Sequence, residues 1–195
     1  RMNKTSTLRR SLVVLGATVG MGLLAACSDD APKTLEPASE KPFGIERIKA
    51  EATGFAVGNM LAARTVYVFF DAQCPHCGSL WNAAKPLHDR VRFVWIPVHI
   101  LSQASLAQGA TLLAAAEPVA LMDEHEELLL ARRGAAAASS SAKDSHGDKV
   151  AANTALLRSG GVTGIPHLVF EDARGQLVQH TGSMGTAQLA ALLGV

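Results

Sequence analysis

Cys74-Pro75-His76-Cys77 is the segment whose residue types and spacing are equipped for chemistry. Two thiols three positions apart at a helix start can close a disulfide and reopen it. The first sits where helix N–H groups favour a thiolate. That is the equipment of dithiol–disulfide exchange. The chain has three cysteines; Cys27 ends an apolar run near the N-terminus and is set apart below, which leaves Cys74 and Cys77 as the pair. A bridge between residues this close closes too short a loop to staple a fold, which favours chemistry over support. A zinc reading lacks a second cysteine pair. His76 and His167 would have to complete the set, and no metal is expected. The run Asp123-Glu124-His125-Glu126-Glu127 resembles a ligand cluster in composition. Consecutive residues on a helix point around its axis, however, and a solvated helix face is expected there. His88, His99, His146 and His180 have no evident partner and are given no role.

Stepping from the cysteines to what must hold them, the preceding Thr65–Phe70 is a continuous apolar run. It reads as a central strand covered on both faces. The segment from Pro75 carries Leu80, Trp81, Ala84 and Leu87 at helical spacing, so one face is buried, and Pro86 should kink its end. Trp81 and Phe70 are expected in the core. Arg92–Val98 reads as the next strand, and a short helix and strand are expected between Pro42 and Met60. The alanine- and leucine-rich stretch from Ser102 to Ser159 predicts helices over about Ser105–Glu117, Pro118–Arg132 and Asp148–Arg158. Gly134–Gly147 is expected to be a low-complexity mobile loop among them. Pro166–Phe170 and Gln176–His180 predict a strand pair across the turn-like Glu171–Gly175, followed by a helix over about Thr186–Leu193. A C-x-x-C at the top of a βα unit, within this order of elements, points to a thioredoxin-like α/β arrangement.

With 195 residues and 48% hydrophobic content, the chain can build one domain with a real core. The formal charge of +1 hides an asymmetry, because Arg1, Lys4, Arg9 and Arg10 precede Ser11 without an acid among them. The rest of the chain is mildly acidic, which argues against a nucleic-acid partner. The basic start, the apolar run Leu12–Ala26 and the polar Ser28-Asp29-Asp30 read as an export signal. Residues 1–26 are therefore expected to be a signal peptide, residues 27–41 a flexible tether of about 20 Å, and residues 42–195 the folded domain, with a helical insertion at about 102–159. Arg1 ahead of Met2 suggests that translation starts at Met2 or upstream.

Two local resemblances follow from these residues. Leu24-Ala25-Ala26-Cys27 resembles a bacterial lipobox, which implies cleavage before Cys27 and lipid attachment to it. Ser28 in the next position would favour the outer membrane, giving a periplasmic protein held by a lipid anchor. Phe70-Asp71-Ala72-Gln73-Cys74-Pro75-His76-Cys77-Gly78-Ser79-Leu80-Trp81 resembles the active-site segment of periplasmic thiol:disulfide interchange proteins, most closely the DsbG-like group. Val162–Val195 is similar to the second half of a thioredoxin fold, with Ile165-Pro166 at the position of the cis-proline. The resemblance spans about Phe55 to Val195. It implies a thioredoxin-like fold whose helical insertion separates a βαβ half from a ββα half.

The resemblance also implies roles. Cys74 would attack and Cys77 would resolve, with Pro75 and His76 tuning the pair. Pro166 would lie against the Cys74 sulfur and expose the backbone of Ile165 for strand addition by an extended substrate. A thiolate at a helix start can fall from about 8.5 into roughly the 3.5–7.5 range, which makes the disulfide a stronger oxidant. Pro75-His76 leans that way, compared with the Gly-Pro of reducing thioredoxins. The expected partners are cysteine-containing exported proteins and a membrane redox partner, with no cofactor. The sequence departs from the family in three places. It is too short before the first strand for a DsbC/DsbG dimerisation domain, so a monomer is expected. It has Ile165 where that group usually has threonine. Val68 stands where thioredoxins keep a buried aspartate, so any internal proton acceptor must come from elsewhere. Two other readings remain: a client-specific periplasmic reductase, and a copper-binding thioredoxin-like chaperone lipoprotein using His167.

Overall fold

A strand covered on both faces loses the alternation of buried and exposed residues, and the strand before Cys74 has lost it: every residue from Val66 to Asp71 is buried. The computed structural model of the chain describes residues 42–136 and 138–195. The segments expected to be a signal peptide and a tether, with Cys27, lie outside them. Within them the chain runs α1 (Ile45–Glu51), β1 (Phe55–Gly58), β2 (Arg64–Asp71), α2 (Pro75–Ala84), β3 (Val91–Val98), α3 (Gln103–Ala114), α4 (Pro118–Leu130), α5 (Ser140–Ser159), β4 (His167–Glu171), β5 (Leu177–Thr181) and α6 (Thr186–Leu193). The five strands form one sheet in the order β1-β3-β2-β4-β5. The β2–β3 pair is parallel, and the other pairs are antiparallel. This is the thioredoxin-like fold with three helices inserted between β3 and β4.

The sheet divides the core by strand periodicity. Val66, Val68 and Phe70 point into one layer, together with Leu168 and Phe170, and meet the buried residues of α2 and α6. Tyr67 and Phe69 point into the other, with Ile45, Ile48, Leu156, Leu157 and Val169. Cys74 and Cys77 belong to the first layer. Aromatic contacts fasten α2 to that face. Trp81 meets Trp95 edge-on at 4.9 Å between ring centres, and Trp95 meets Phe70 at 5.5 Å. Truncating a buried aromatic of this kind costs about 3–5 kcal/mol. As Pro86 requires, α2 ends at Ala84 and gives way to a single 3-10 turn, Lys85–Leu87.

Pro97 is an unexpected residue inside a strand, since proline cannot donate to a ladder. It is tolerated because β1 ends opposite Trp95, so no strand pairs with that side of β3 at Pro97. Asn153, fully buried on α5, takes over there. Its Nδ2 donates to the carbonyls of Pro97 (3.0 Å) and Thr53 (2.8 Å), and its Oδ1 accepts from Thr53 N–H (2.8 Å).

The structure corrects one sequence expectation in this region. The stretch Gly134–Gly147 is not a loop throughout, because α5 begins at Ser140, eight residues before the expected start at Asp148. The segment lacks apolar periodicity but holds a good N-cap: the Ser139 hydroxyl accepts from Ala142 N–H. Gly147 is buried within the helix, where a side chain would meet Lys143 and Leu106.

Asn153→Ala should lower the unfolding free energy by about 3 kcal/mol, because it strands buried backbone groups at Thr53 and Pro97. Urea unfolding followed by tryptophan fluorescence measures this; a loss under about 0.5 kcal/mol would contradict it.

Candidate active site

The α2 helix begins at the C-terminal end of β2, and Asp71 fixes the turn between them. Its carboxylate is fully buried. Oδ1 accepts from Gln73 N–H (2.9 Å), while Oδ2 accepts from Ile100 N–H (2.7 Å) and Leu101 N–H (2.9 Å). Its carbonyl accepts from Cys74 N–H (2.9 Å). One side chain thus ties the strand end, the helix start and the β3–α3 turn together. Cys74 is the N-cap in extended conformation, and Pro75 occupies a first-turn position whose missing N–H costs nothing. The Cys74 carbonyl takes the N–H groups of Cys77 (2.9 Å) and Gly78 (3.2 Å).

Cys74 keeps 4% of its surface exposed, whereas Cys77 is completely buried; both are free thiols. Their acidities diverge accordingly. Cys74 is lowered to about 6, chiefly by the hydrogen bond from the Cys77 thiol. The N–H groups of Cys77 and His76 and the charge of His76 help, against the opposing effect of burial. Cys77 is pushed well up by burial, by the thiol bond it donates and by the nearby Cys74 charge. Pro75 and His76 are exposed on the outer side of the turn.

Opposite this turn, the Ile165–Pro166 peptide is cis. Phe69 pairs with His167 across β2 and β4, so Pro166 lies just beyond, at the end of the sheet where β2 delivers Cys74. Ile165 packs against both layers, including the one that contains both cysteines. The Pro166 carbonyl accepts from Gly182 N–H (2.8 Å) and is directed to the β5 side.

His167 does not join the cysteines. It points into the other layer, near the Phe43 ring (6.3 Å), and its ring nitrogens meet Thr181 Oγ1 (2.8 Å) and Gln179 Oε1 (3.1 Å). The sheet stands between it and the dithiol. This removes the histidine on which a Cys2His2 or copper reading depended.

The expected solvated face at 123–127 is also corrected, since His125 and Glu126 are each only 1% exposed. Helix α4 packs against α2 and brings these residues behind the cysteines. His125 Nε2 donates to the carbonyl of Ala72 (2.6 Å), and burial holds the ring's pKa below its ordinary value. Asp123 accepts from Trp81 Nε1 (2.7 Å) and pairs with Lys85 (2.6 Å). Glu126 lies over Gly78, so closely that a Cβ there would clash with Oε2. Neither carboxyl oxygen has a hydrogen-bond partner among the described residues. Burial, and then the charge of Cys74, push its pKa up to about 8. A signal for it existed in the sequence: Val119, Met122, Glu126 and Leu129 recur at helical spacing, which puts Glu126 on an apolar stripe.

Comparison with known proteins agrees with this geometry. A sequence model of a thioredoxin-like domain matches residues 61–194. The chain is 32% identical over 146 residues to the thiol:disulfide interchange protein DsbG of Pseudomonas aeruginosa, a match over 74% of this chain and 56% of that protein. The chain thus spans little more than half the length of that relative. A thioredoxin-like oxidoreductase from Silicibacter pomeroyi DSS-3 has a similar structure, with a TM-score of 0.55, 23% identity, and coverage of 72% of this chain and 90% of that one. The thiol-disulfide exchange protein alpha-DsbA2 of Wolbachia pipientis gives a TM-score of 0.57 at 19% identity, covering 77% and 92%. At these identities the two structures speak to the fold.

Alkylation of the reduced protein by iodoacetamide should rise with pH through a midpoint of about 6, because the thiolate reacts and Cys74 is the group held low. Peptide mapping should place the label on Cys74 and none on Cys77 at neutral pH. A midpoint near the ordinary thiol value of about 8.5 would contradict the geometry.

Proposed function

The chain belongs to the thioredoxin-like domain family, and from that premise we propose that it is an exported thiol:disulfide oxidoreductase acting on cysteines of other exported proteins. One observation carries this reading: a slightly exposed thiol at the N-cap of α2, at the end of β2, with a fully buried partner thiol one helical turn on. The match to a thiol:disulfide interchange protein supports the same class of reaction. The Cys74 thiolate attacks a substrate disulfide and forms a mixed disulfide, releasing one substrate sulfur as a thiolate. Cys77 then attacks Cys74, the second substrate sulfur leaves, and the Cys74–Cys77 disulfide remains. The substrate is reduced and the enzyme oxidised. Run backwards, the same steps oxidise a substrate dithiol.

Helix N–H groups and the Cys77 thiol stabilise the Cys74 thiolate, and with it the reduced enzyme. Pro75 and His76 shape the exposed rim of the turn, and His76 adds positive charge beside Cys74. Ile165 and Pro166 form the opposing ledge for an extended substrate segment. This role is supported by their position beyond the β2–β4 register. The lipobox-like sequence at Cys27 supports a periplasmic protein held by a lipid anchor, with Ser28 favouring the outer membrane. A monomer that exchanges electrons with a membrane redox partner completes the proposal.

In cells, Cys77→Ser should accumulate mixed disulfides that reductant releases, and Cys74→Ser should accumulate none. Identification of the trapped proteins by mass spectrometry gives the clients, and a client-specific reductase would show one dominant species. Equal trapping by the two variants, or full activity of Cys74→Ser on scrambled or reduced substrates, would overturn the reading. Intact mass of the membrane-extracted protein should show an acylated Cys27 as the first residue; an unmodified mature N-terminus would remove the anchor.

A further inference from the structure

Among the described residues, three buried titratable groups near the dithiol take no part in the exchange steps, and of these Asp71 and His125 are hydrogen-bonded whereas Glu126 is not. It is 1% exposed, its two oxygens lack hydrogen-bond partners, and it lies against Gly78, the residue following Cys77. An unpartnered carboxyl in such a place is destabilising by about 1–3 kcal/mol, more if charged. The equivalent volume could be filled by leucine or methionine without that penalty. Meanwhile Cys77 has a problem that Cys74 lacks: it must lose a proton in order to attack, yet it is sealed from water. On β2, Val68 of the same layer as the cysteines offers no acceptor.

We propose that the Glu126 carboxyl is the proton acceptor for Cys77, entering from the inserted helix α4 instead of from the sheet. The proposal rests on the dithiol-exchange reading. In the resolving step the proton passes from Cys77 Sγ to a Glu126 carboxylate oxygen, directly or through one water. The Cys77 sulfur then bonds to Cys74, the electron pair of the mixed disulfide leaves on the substrate sulfur, and Glu126 remains as the neutral acid. In the opposite direction a substrate thiolate attacks Cys74, Cys77 leaves as a thiolate, and the Glu126 acid protonates it.

The charged groups around Glu126 make the transfer self-timed. On α2 these are Cys74 and Cys77; on its own helix, His125 donates to the Ala72 carbonyl and Asp123 is paired with Lys85. While Cys74 is a thiolate, its charge helps keep the carboxyl neutral and the Cys77 thiol protonated. Once Cys74 enters a mixed disulfide, that charge is gone. The Glu126 acid can then give its proton to the substrate thiolate released in the first step, which leaves a carboxylate, and Cys77 becomes easier to deprotonate in the same state.

Reaction of the reduced full-length protein with DTNB separates the steps. The first thionitrobenzoate released reports attack by Cys74, and the second reports resolution by Cys77. Glu126→Gln should slow the second release about 100-fold at pH 6.5, the scale of general acid–base assistance, and leave the first within about threefold. Its second phase should then climb tenfold per pH unit from 6 to 9, as direct hydroxide-dependent ionisation requires, where the wild type bends toward a plateau. Glu126→Leu, which removes the unpartnered polar group altogether, should fold at least as stably and behave like Glu126→Gln. A second phase with unchanged rate and pH profile in either variant, or both phases slowed by one common factor, overturns the proposal. A wild-type protein that releases only one thionitrobenzoate overturns the dithiol reading along with it.

Discussion

The site depends on one constraint, the stabilisation of a negative charge at the first turn of α2. The charge belongs to Cys74, which is almost buried, so water can do little to stabilise it. Its stabilisation comes from donors fixed by the backbone: the N–H groups of the first turn and the thiol of Cys77. Those donors help only if the helix start cannot drift. Asp71 prevents drift by binding the turn residues and the β3–α3 connection with one carboxylate, and the Trp81–Trp95–Phe70 contacts hold the helix body on the sheet. Packing and electrostatics therefore act on the same few residues.

The same burial that makes the charge selective limits how many charges the layer can hold. Cys74, Cys77 and Glu126 share one pocket of low dielectric, and each raises the energy of a second ionisation. With one carrying the charge, the other two stay neutral. Exchange chemistry then becomes a question of moving that charge from sulfur to sulfur without exposing the interior. The inserted helices contribute directly, because α4 supplies the third group and closes the layer behind α2. The insertion is thus part of the site and more than a lid beside it.

Much of this was legible from residue patterns. The unbroken apolar run of β2, the proline after Cys74, the helical spacing of Leu80, Trp81 and Ala84, and the final helix Thr186–Leu193 all appear in the structure where the patterns put them. Local rules suffice in these places, since strand burial, N1 proline and helix periodicity are properties of neighbouring residues. Two features escaped. Helix α5 starts at a serine cap inside an Ala/Ser-rich stretch with no apolar rhythm, so its stability comes from propensity and packing. Glu126 was hidden by composition: five polar residues in a row look solvated, although its position on the stripe from Val119 to Leu129 says otherwise. Its neighbour across the interface, Gly78, is 48 positions away, and that contact exists only after α4 has docked.

The central claim is that the fold stabilises the reduced pair through the Cys74 thiolate, and the redox potential tests it most directly. Equilibrating the protein in glutathione buffers at pH 7 and quantifying the dithiol by mass after acid quench gives the value. A thiol near 6, compared with about 7 in thioredoxin, predicts a disulfide more oxidising than thioredoxin's potential of about −270 mV, by at least about 20 mV. A potential at or below about −270 mV would contradict the account.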